Sequence, residues 1–230
     1  MHEPKRARRT YAVADLHGRY DLLDAALKAI EANPPGTIVF LGDYIDRGPQ
    51  SCQVIDRLMT GPPDGWRWVC LKGNHEDMMV ETINQPLDFG WWVGNGGGAT
   101  LASYADGVVP QAHLDWCRQR PLCYLDGRRV FVHADFDETR PADEQTEARL
   151  LWSRRERNAD LTAAAGYVVH GHTPFPDGPV VLSGRCNLDT LAWRTGRLVV
   201  AVFDDDVAGG PASLIEVALS PRHRPYGGRT

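Results

Sequence analysis

The chain has 230 residues, of which 43% are hydrophobic and 24% are charged, which is ordinary for a soluble globular domain with a substantial core. Its formal net charge of -5 argues against nucleic acid as a default partner. No apolar stretch approaches the length of a membrane-spanning helix, so we expect no membrane partner. Five cysteines without a CxxC pair are typical of free thiols, so we expect a cytoplasmic protein.

The first predicted element is a short strand in the segment TYAVADLHG, which follows a short basic run and leads into a polar turn. We interpret residues 1–10 as a solvated basic lead-in, because the run is too short to indicate a targeting or nucleic-acid segment. A helix follows, since apolar residues recur there at helical spacing. Its apolar stripe consists of Leu22, Leu23, Ala26, Leu27 and Ile30.

Strand–loop–helix units occur three times in succession in the first half of the chain, which predicts a sheet with parallel strands. In such a sheet the loops at the carboxyl ends of the strands share one edge, where ligands bind. All three loops carry oxygen or nitrogen donors at that edge. They supply Asp15 and His17, then Asp43, Asp46 and Arg47, then Asn74 and His75.

The second half of the chain adds two strands with histidines at their ends. One strand ends at His133 and the other at His170 and His172. Later segments are predominantly β in character. We expect a single domain over residues 11–219, with a helical cap insertion at 84–120, and a mobile polar tail at 220–230.

The donors at these strand ends are imidazoles, carboxylates and one amide, a set that suits Mn, Fe or Zn. The absence of cysteine among them argues against a structural zinc site. The six donors are too many for one tetrahedral ion with an open position, and they indicate two ions bridged by a carboxylate. They are Asp15, His17, Asp43, Asn74, His133 and His172.

The ordered motifs ADLHG, GDYIDRG, KGNHE and HGHTP, together with His133, resemble the phosphoprotein phosphatase group of the calcineurin-like metallophosphoesterases. The resemblance spans residues 11 to about 191, and compact bacterial and phage serine/threonine protein phosphatases are the nearest match. It implies an α/β fold of the αββα sandwich type, with two central mixed β-sheets flanked by helices and a small helical cap.

The resemblance also implies a role for each site residue. Asp15 and His17 would hold one divalent ion, Asp43 would bridge both ions, and Asn74, His133 and His172 would complete the second site. Manganese is the expected metal, with iron or zinc as alternatives. His75 would be the acid for the leaving group, with Asp46 as its partner. The phosphate would be held by Arg47, Asn74 and Arg154, with Arg155 as the alternative to Arg154.

The function implied is hydrolysis of phosphoserine or phosphothreonine in proteins, by direct attack of a hydroxide that bridges the metals. A symmetrical dinucleoside tetraphosphate (Ap4A) hydrolase is the alternative, although such enzymes typically lack the aspartate of DRG and read GNHD. Here Asp46 and Glu76 favour the phosphatase. A non-enzymatic metal-binding module is a third reading. We expect a monomer whose partner is a phosphorylated protein or a small phosphoester.

Several conspicuous residues have simpler interpretations. We expect His170 to be buried and hydrogen-bonded rather than a ligand, and His113 to lie at the surface. Trp91 and Trp92 are expected to pack in the core or cap rather than to stack on a base. The family usually has small residues after His133, so Asp135 departs from the family pattern and adds negative charge near the metals.

Overall fold

The computed structural model of the protein describes residues 8–84, 89–160 and 166–219. The predicted tail at 220–230 and most of the predicted lead-in at 1–10 lie outside the described residues. Within the described ranges, no helix combines the length and the apolar composition needed to cross a bilayer.

The first of two sheets has five strands in the order β10-β9-β1-β2-β3. Strand β1 is parallel to β2 and β2 is parallel to β3, as the strand–loop–helix pattern predicts. Strand β9 runs antiparallel to both β1 and β10. These strands are β1 (Arg9–Val13), β2 (Thr37–Phe40), β3 (Arg67–Cys70), β9 (Arg197–Asp204) and β10 (Ser213–Ala218).

The second sheet also has five strands, in the order β4-β5-β6-β8-β7. Strands β5, β6 and β8 are parallel, and the two outer strands are antiparallel to their neighbours. The strands are β4 (Cys123–Leu125), β5 (Arg129–Val132), β6 (Tyr167–His170), β7 (Val180–Val181) and β8 (Arg185–Asn187).

The helices that flank the first sheet include α1 (Tyr20–Glu31), α2 (Ser51–Thr60) and α3 (Asn74–Asn84). The predicted apolar stripe of α1 is its buried face. Two shorter helices, α7 (Glu147–Trp152) and α8 (Ala192–Thr195), follow later in the chain, and a 3-10 turn occupies Ala142–Glu144.

The hydrophobic core explains why the two sheets stack. Successive side chains of a strand point to opposite faces of the sheet. Tyr11 and Val13 therefore pack on one face, in a hydrophobic cluster with residues of α1, α2 and α3. Ala12 lies in a second cluster, which draws its members from both sheets and includes Phe131 and Phe203. Burial of apolar surface on both faces of the first sheet gives the helix–sheet–sheet–helix layering, and the predicted αββα sandwich is confirmed.

The predicted cap is helical. It contains α4 (Phe89–Trp92), a π-helical turn (Val93–Gly97), α5 (Gly98–Ser103) and α6 (Gln111–Arg118). Helix α5 packs against α2, and α4 and α6 pack against α3. The exact limits of the cap and of the domain remain predictions.

The prediction that His113 lies at the surface is wrong. His113 is on the buried face of α6, together with Leu114 and Cys117. Its imidazole contacts two polar side chains, the hydroxyl of Tyr104 at 2.9 Å and the carboxylate of Asp56 at 3.2 Å. The sequence of this short polar helix does not indicate the burial, because Tyr104 and Asp56 come from other parts of the chain.

Candidate active site

The site lies where five strands of the two sheets end, and its backbone is unusual. Seven non-glycine residues have positive φ in the part of the chain that the structure describes, and six of them are predicted site residues. Such conformations cost of order 1–3 kcal/mol each and persist where the surrounding structure holds them. The six are Asp15, His17, Asp43, Asp46, Arg47 and His172.

Glu76 holds the loop that carries Asp43. Its buried carboxylate accepts hydrogen bonds from the backbone N–H groups of Asp43 at 2.9 Å, Tyr44 at 2.8 Å and Gly73 at 2.9 Å. Glycine is required at position 73, because a Cβ there would collide with the backbone and carboxylate of Asp43. The last residue of the GNHE motif therefore positions a neighbouring loop, a role that the sequence did not reveal.

Asp43 is central to the site. Its Oδ2 lies 3.5 Å from Nε2 of His17, and its Oδ1 lies 3.4 Å from Nε2 of His133. It belongs to two clusters whose ligand atoms lie within 4.8 Å of one another, one with His17 and His75 and the other with His133 and His172. This shared position is the one expected of a carboxylate that bridges two ions.

The remaining predicted donors surround the second cluster. The Oδ1 atom of Asn74 lies 2.9 Å from Nε2 of His133 and 3.0 Å from Nδ1 of His172. The carboxylate of Asp15 accepts the backbone N–H of His172 at 3.1 Å. The structure therefore brings all six predicted metal donors to one edge of the sandwich.

The orientation of two histidines fits metal binding. Nδ1 of His17 lies 2.9 Å from the carbonyl oxygen of Ile45, and Nδ1 of His133 lies 2.9 Å from that of Leu41. A carbonyl only accepts, so Nδ1 carries the hydrogen in each ring and the lone pair of Nε2 faces Asp43. Metal-binding histidines in proteins are commonly oriented in this way by a second hydrogen bond.

The electrostatics of the site also fit bound cations. Burial lowers the pKa of His17 and His133, and it lowers the pKa of His172 to about 3, which favours the neutral form of each ring, the form that binds metals. Burial, together with Asp189 and Asp43, raises the pKa of Asp15. These crowded buried carboxylates need positive charge, which divalent ions would supply.

His75 and Asp46 form a buried pair. Nδ1 of His75 lies 2.6 Å from Oδ2 of Asp46. Burial disfavours the charged imidazole, but Asp43 and Asp46 outweigh it and raise the pKa of His75. Asp46 also accepts hydrogen bonds from the indole N–H of Trp92 at 3.0 Å and from the hydroxyl of Thr100 at 2.6 Å. The cap thus supplies two side chains to the site that sequence reasoning did not identify.

Three arginines were candidates for phosphate binding, and their surroundings differ. The two Nη atoms of Arg47 lie 2.5 Å from Nε2 of His17 and 3.0 Å from Nε2 of His75. Arg154 donates to the carbonyl of His172 at 3.2 Å. Arg155 is instead paired with Asp135, its Nε lying 2.9 Å from Oδ1. The geometry favours Arg154 over Arg155 as the second arginine.

Asp135 does not leave an uncompensated charge beside the site. Its carboxylate forms ion pairs with Arg155 at 2.9 Å and with Arg149 at 3.1 Å.

The sequence analysis did not identify Asp189, which is buried beyond the end of β8. Burial, opposed by a hydrogen bond from Leu191 and assisted by Asp43, raises its pKa to about 6. The available signal was its position after a strand, the same signal that identified Asp15.

His170, Trp91 and Trp92 differ in burial. His170 is buried and accepts a hydrogen bond from Arg185 at 2.7 Å, which confirms the structural interpretation. Trp92 is fully buried, as expected. Trp91 lies in the cap, where it is 52% exposed and stacks on Trp152 with ring centroids 5.7 Å apart.

Comparisons with known proteins identify a matching family model and similar proteins. The family model for calcineurin-like phosphoesterases matches residues 8–202. Serine/threonine-protein phosphatase 2 of Escherichia coli (strain K12) is 28% identical over 207 residues, which are 83% of this chain and 91% of that protein. A solved metallophosphoesterase from Sphaerobacter thermophilus has a TM-score of 0.60 at 20% identity, covering 94% of this chain and 90% of that one.

A second type of relative has a different name. The symmetrical bis(5'-nucleosyl)-tetraphosphatase of Dechloromonas aromatica (strain RCB) is 29% identical over 126 residues, 54% of this chain and 43% of that protein. The calcineurin-like phosphoesterase model spans most of the chain, residues 8–202. The protein therefore belongs to the calcineurin-like phosphoesterase family.

Proposed function

We propose that the protein is a dinuclear, metal-dependent phosphatase that acts on phosphoserine or phosphothreonine in proteins. The observation that carries the proposal is the buried His75–Asp46 pair beside the Asp43 clusters, since an acid for the leaving group then stands next to the metal donors. The relative named serine/threonine-protein phosphatase 2, which is matched over most of its length, supports this choice.

The donors divide into two ion sites. When bound, the two ions would lower the pKa of water and neutralise charge on the phosphoryl oxygens. Manganese is the metal we propose, because hard carboxylate and amide oxygens are mixed with imidazoles. Asp15, His17 and Asp43 would hold one ion, and Asp43, Asn74, His133 and His172 would hold the other.

Arg47 is the proposed clamp for the phosphate. Its two Nη groups lie against Nε2 of His17 and Nε2 of His75, and each contact requires an unprotonated ring nitrogen. For Nε2 of His17 to bind an ion and for Nε2 of His75 to carry the proton that it donates, Arg47 must release both contacts. Its Nη groups then become available to phosphate oxygens. Asn74 and Arg154, which flank His172, are the further proposed phosphate contacts.

His75 is the proposed general acid. Asp46 keeps its Nδ1 protonated and orients the ring, so Nε2 is the atom that would deliver a proton to the leaving oxygen. Trp92 and Thr100 fix the carboxylate of Asp46 in turn. Side chains of the cap thus contact Asp46, and Asp46 contacts the proposed acid, His75.

One observation favours the second candidate, a dinucleoside tetraphosphate hydrolase. Trp91 and Trp152 form a stacked pair at 27° between ring planes, and they remain 52% and 37% exposed. Trp152 lies two residues before Arg154, and Trp91 adjoins Trp92, so a nucleobase that extends from the phosphate site could stack there. The shorter match to the tetraphosphatase relative is in keeping with this reading.

Steady-state rates with a panel of phosphoserine and phosphothreonine peptides and with diadenosine tetraphosphate, at saturating manganese, separate the candidates. We expect a larger kcat/KM for phosphopeptides. A larger value for the dinucleotide would assign the second function. No turnover of any substrate by protein with two bound ions would indicate a metal-binding module.

The proposal also covers the compartment, the oligomeric state and the partners of the protein. We infer a cytoplasmic monomer whose substrate is a phosphorylated protein or a small phosphoester, with no nucleic-acid or membrane partner. All five cysteines are free, which supports a reducing compartment.

A further inference from the structure

A third group of possible metal ligands lies away from the proposed active site. Cys52 and Asp56 are one turn apart on α2, and His113 faces them from α6. One ligand atom from each residue lies within 4.8 Å of the others. Unlike the two Asp43 clusters, this group contains a thiol.

Two distances within this group are close to the edges of a tetrahedral zinc site. Sγ of Cys52 lies 3.5 Å from one carboxylate oxygen of Asp56, and Nε2 of His113 lies 3.2 Å from the other. Zinc bonds of about 2.0–2.3 Å to oxygen, nitrogen and sulfur give edges of roughly 3.3–3.6 Å between ligands in a tetrahedron. A thiolate, an imidazole and a carboxylate together favour zinc over the harder ions proposed for the active site.

The surroundings orient the imidazole and leave access for an ion. Nδ1 of His113 lies 2.9 Å from the buried hydroxyl of Tyr104, which leaves Nε2 directed at Asp56. The side chain of Asp56 is 60% exposed, so the group opens to solvent. The backbone N–H of Cys52 donates to the hydroxyl of Ser103 at 3.0 Å, which holds the backbone at Cys52 against helix α5.

We propose that Cys52, Asp56 and His113 bind one Zn²⁺, with the fourth position left for water. The ion would link α2, which belongs to the core, to α6, which belongs to the cap. This site goes beyond the proposed phosphatase activity and does not depend on it. Zinc would therefore bind with the active-site donors either intact or removed.

Cobalt substitution tests the site without any measurement of activity. Co²⁺ bound by a thiolate has an intense charge-transfer absorption in the near ultraviolet, and the active-site donors include no cysteine. We expect this band in the wild-type protein with manganese at the active site. We also expect its loss in Cys52→Ser and its retention in Cys123→Ser, a matched change of another free cysteine. No band in the wild type, or a band that survives in Cys52→Ser, would overturn the proposal.

Alkylation of Cys52 tests the other two ligands. At zinc about ten times the Kd, only about one tenth of the sites is free, so labelling by iodoacetamide should slow about tenfold. We expect Asp56→Asn and His113→Gln to lose this protection. Asp56 is exposed, so its variant serves as the test that is least sensitive to folding. Full protection of Cys52 in Asp56→Asn and in folded His113→Gln would contradict the three-ligand site.

Discussion

The carboxylate of Asp46 lies 2.6 Å from Nδ1 of His75, and both side chains are almost completely buried. Asp46 also receives the indole N–H of Trp92, which the sequence places in the cap. The proposed acid is therefore oriented by a carboxylate that the cap holds in place. We therefore propose that the cap contributes to catalysis.

Trp92→Phe removes the indole donor while it preserves most of the buried volume. A hydrogen bond to a charged group contributes about 1.5–3 kcal/mol, and a part of this loss should reach the reaction, so we expect kcat on a phosphoserine peptide to fall roughly five- to tenfold. Metal content should stay unchanged. Trp91→Phe, an exposed neighbour, is the control. Equal losses in the two variants would contradict a specific role for Trp92.

Asp43→Asn tests the bridging carboxylate. The variant should lose bound metal and activity together, because Asp43 contacts both clusters. Metal analysis of the purified protein measures the first effect. Asp46→Asn is the matched control, since Asp46 is assigned to the acid and should leave both ions bound. Two ions per chain with normal turnover in Asp43→Asn would remove the bridging assignment.

Arg47→Ala and Arg154→Ala should weaken inhibition by inorganic phosphate about tenfold or more while the metals stay in place, because guanidinium groups bind phosphate oxygens rather than ions. Arg155→Ala is the control. Its side chain is paired with Asp135, so its loss should lower stability and leave phosphate inhibition unchanged. An unchanged inhibition constant in Arg47→Ala would mean that this side chain points elsewhere.

The parallel strands and most of the site residues can be predicted from the sequence, because each depends on a short local pattern of residues. Repeated strand–loop–helix units indicate the parallel strands, and donors that follow strand ends locate the site, so Asp15 and His133 can be identified from local pattern alone. Trp92 was not assigned to the site, because a contact between the cap and Asp46 joins residues that are far apart in the chain. His113 was misplaced for the same reason, since its burial depends on Tyr104 and Asp56.

Because His170 is buried, we expect the free energy of unfolding to decrease at acidic pH. Burial and the neighbouring Arg185 lower its pKa to about 3 from the ordinary value of 6.5. The unfolded chain therefore takes up a proton below about pH 6.5 that the folded protein excludes down to about pH 3. The stability associated with the neutral ring is full above pH 6.5 and is lost progressively as the pH falls through that window.

Urea unfolding at pH 7.5 and pH 5, in the presence of a chelator so that metal release does not contribute, measures this effect. Between these pH values the wild type should lose roughly 1–2 kcal/mol more free energy of unfolding than His170→Gln, whose side chain can still accept from Arg185. The same loss in both proteins would show that His170 does not titrate in this way.

A comparison of two leaving groups tests most directly whether His75 protonates the leaving oxygen. A serine alkoxide needs a proton, whereas nitrophenolate leaves readily without one. General acid catalysis contributes about 10²–10⁴-fold, so His75→Asn should lower kcat by that order on a phosphoserine peptide and far less on nitrophenyl phosphate, at saturating manganese. Asp46→Asn should show the same pattern more weakly, and Asn74→Ala should damage both substrates alike. Equal losses on the two substrates in His75→Asn would contradict the assignment of His75 as the acid.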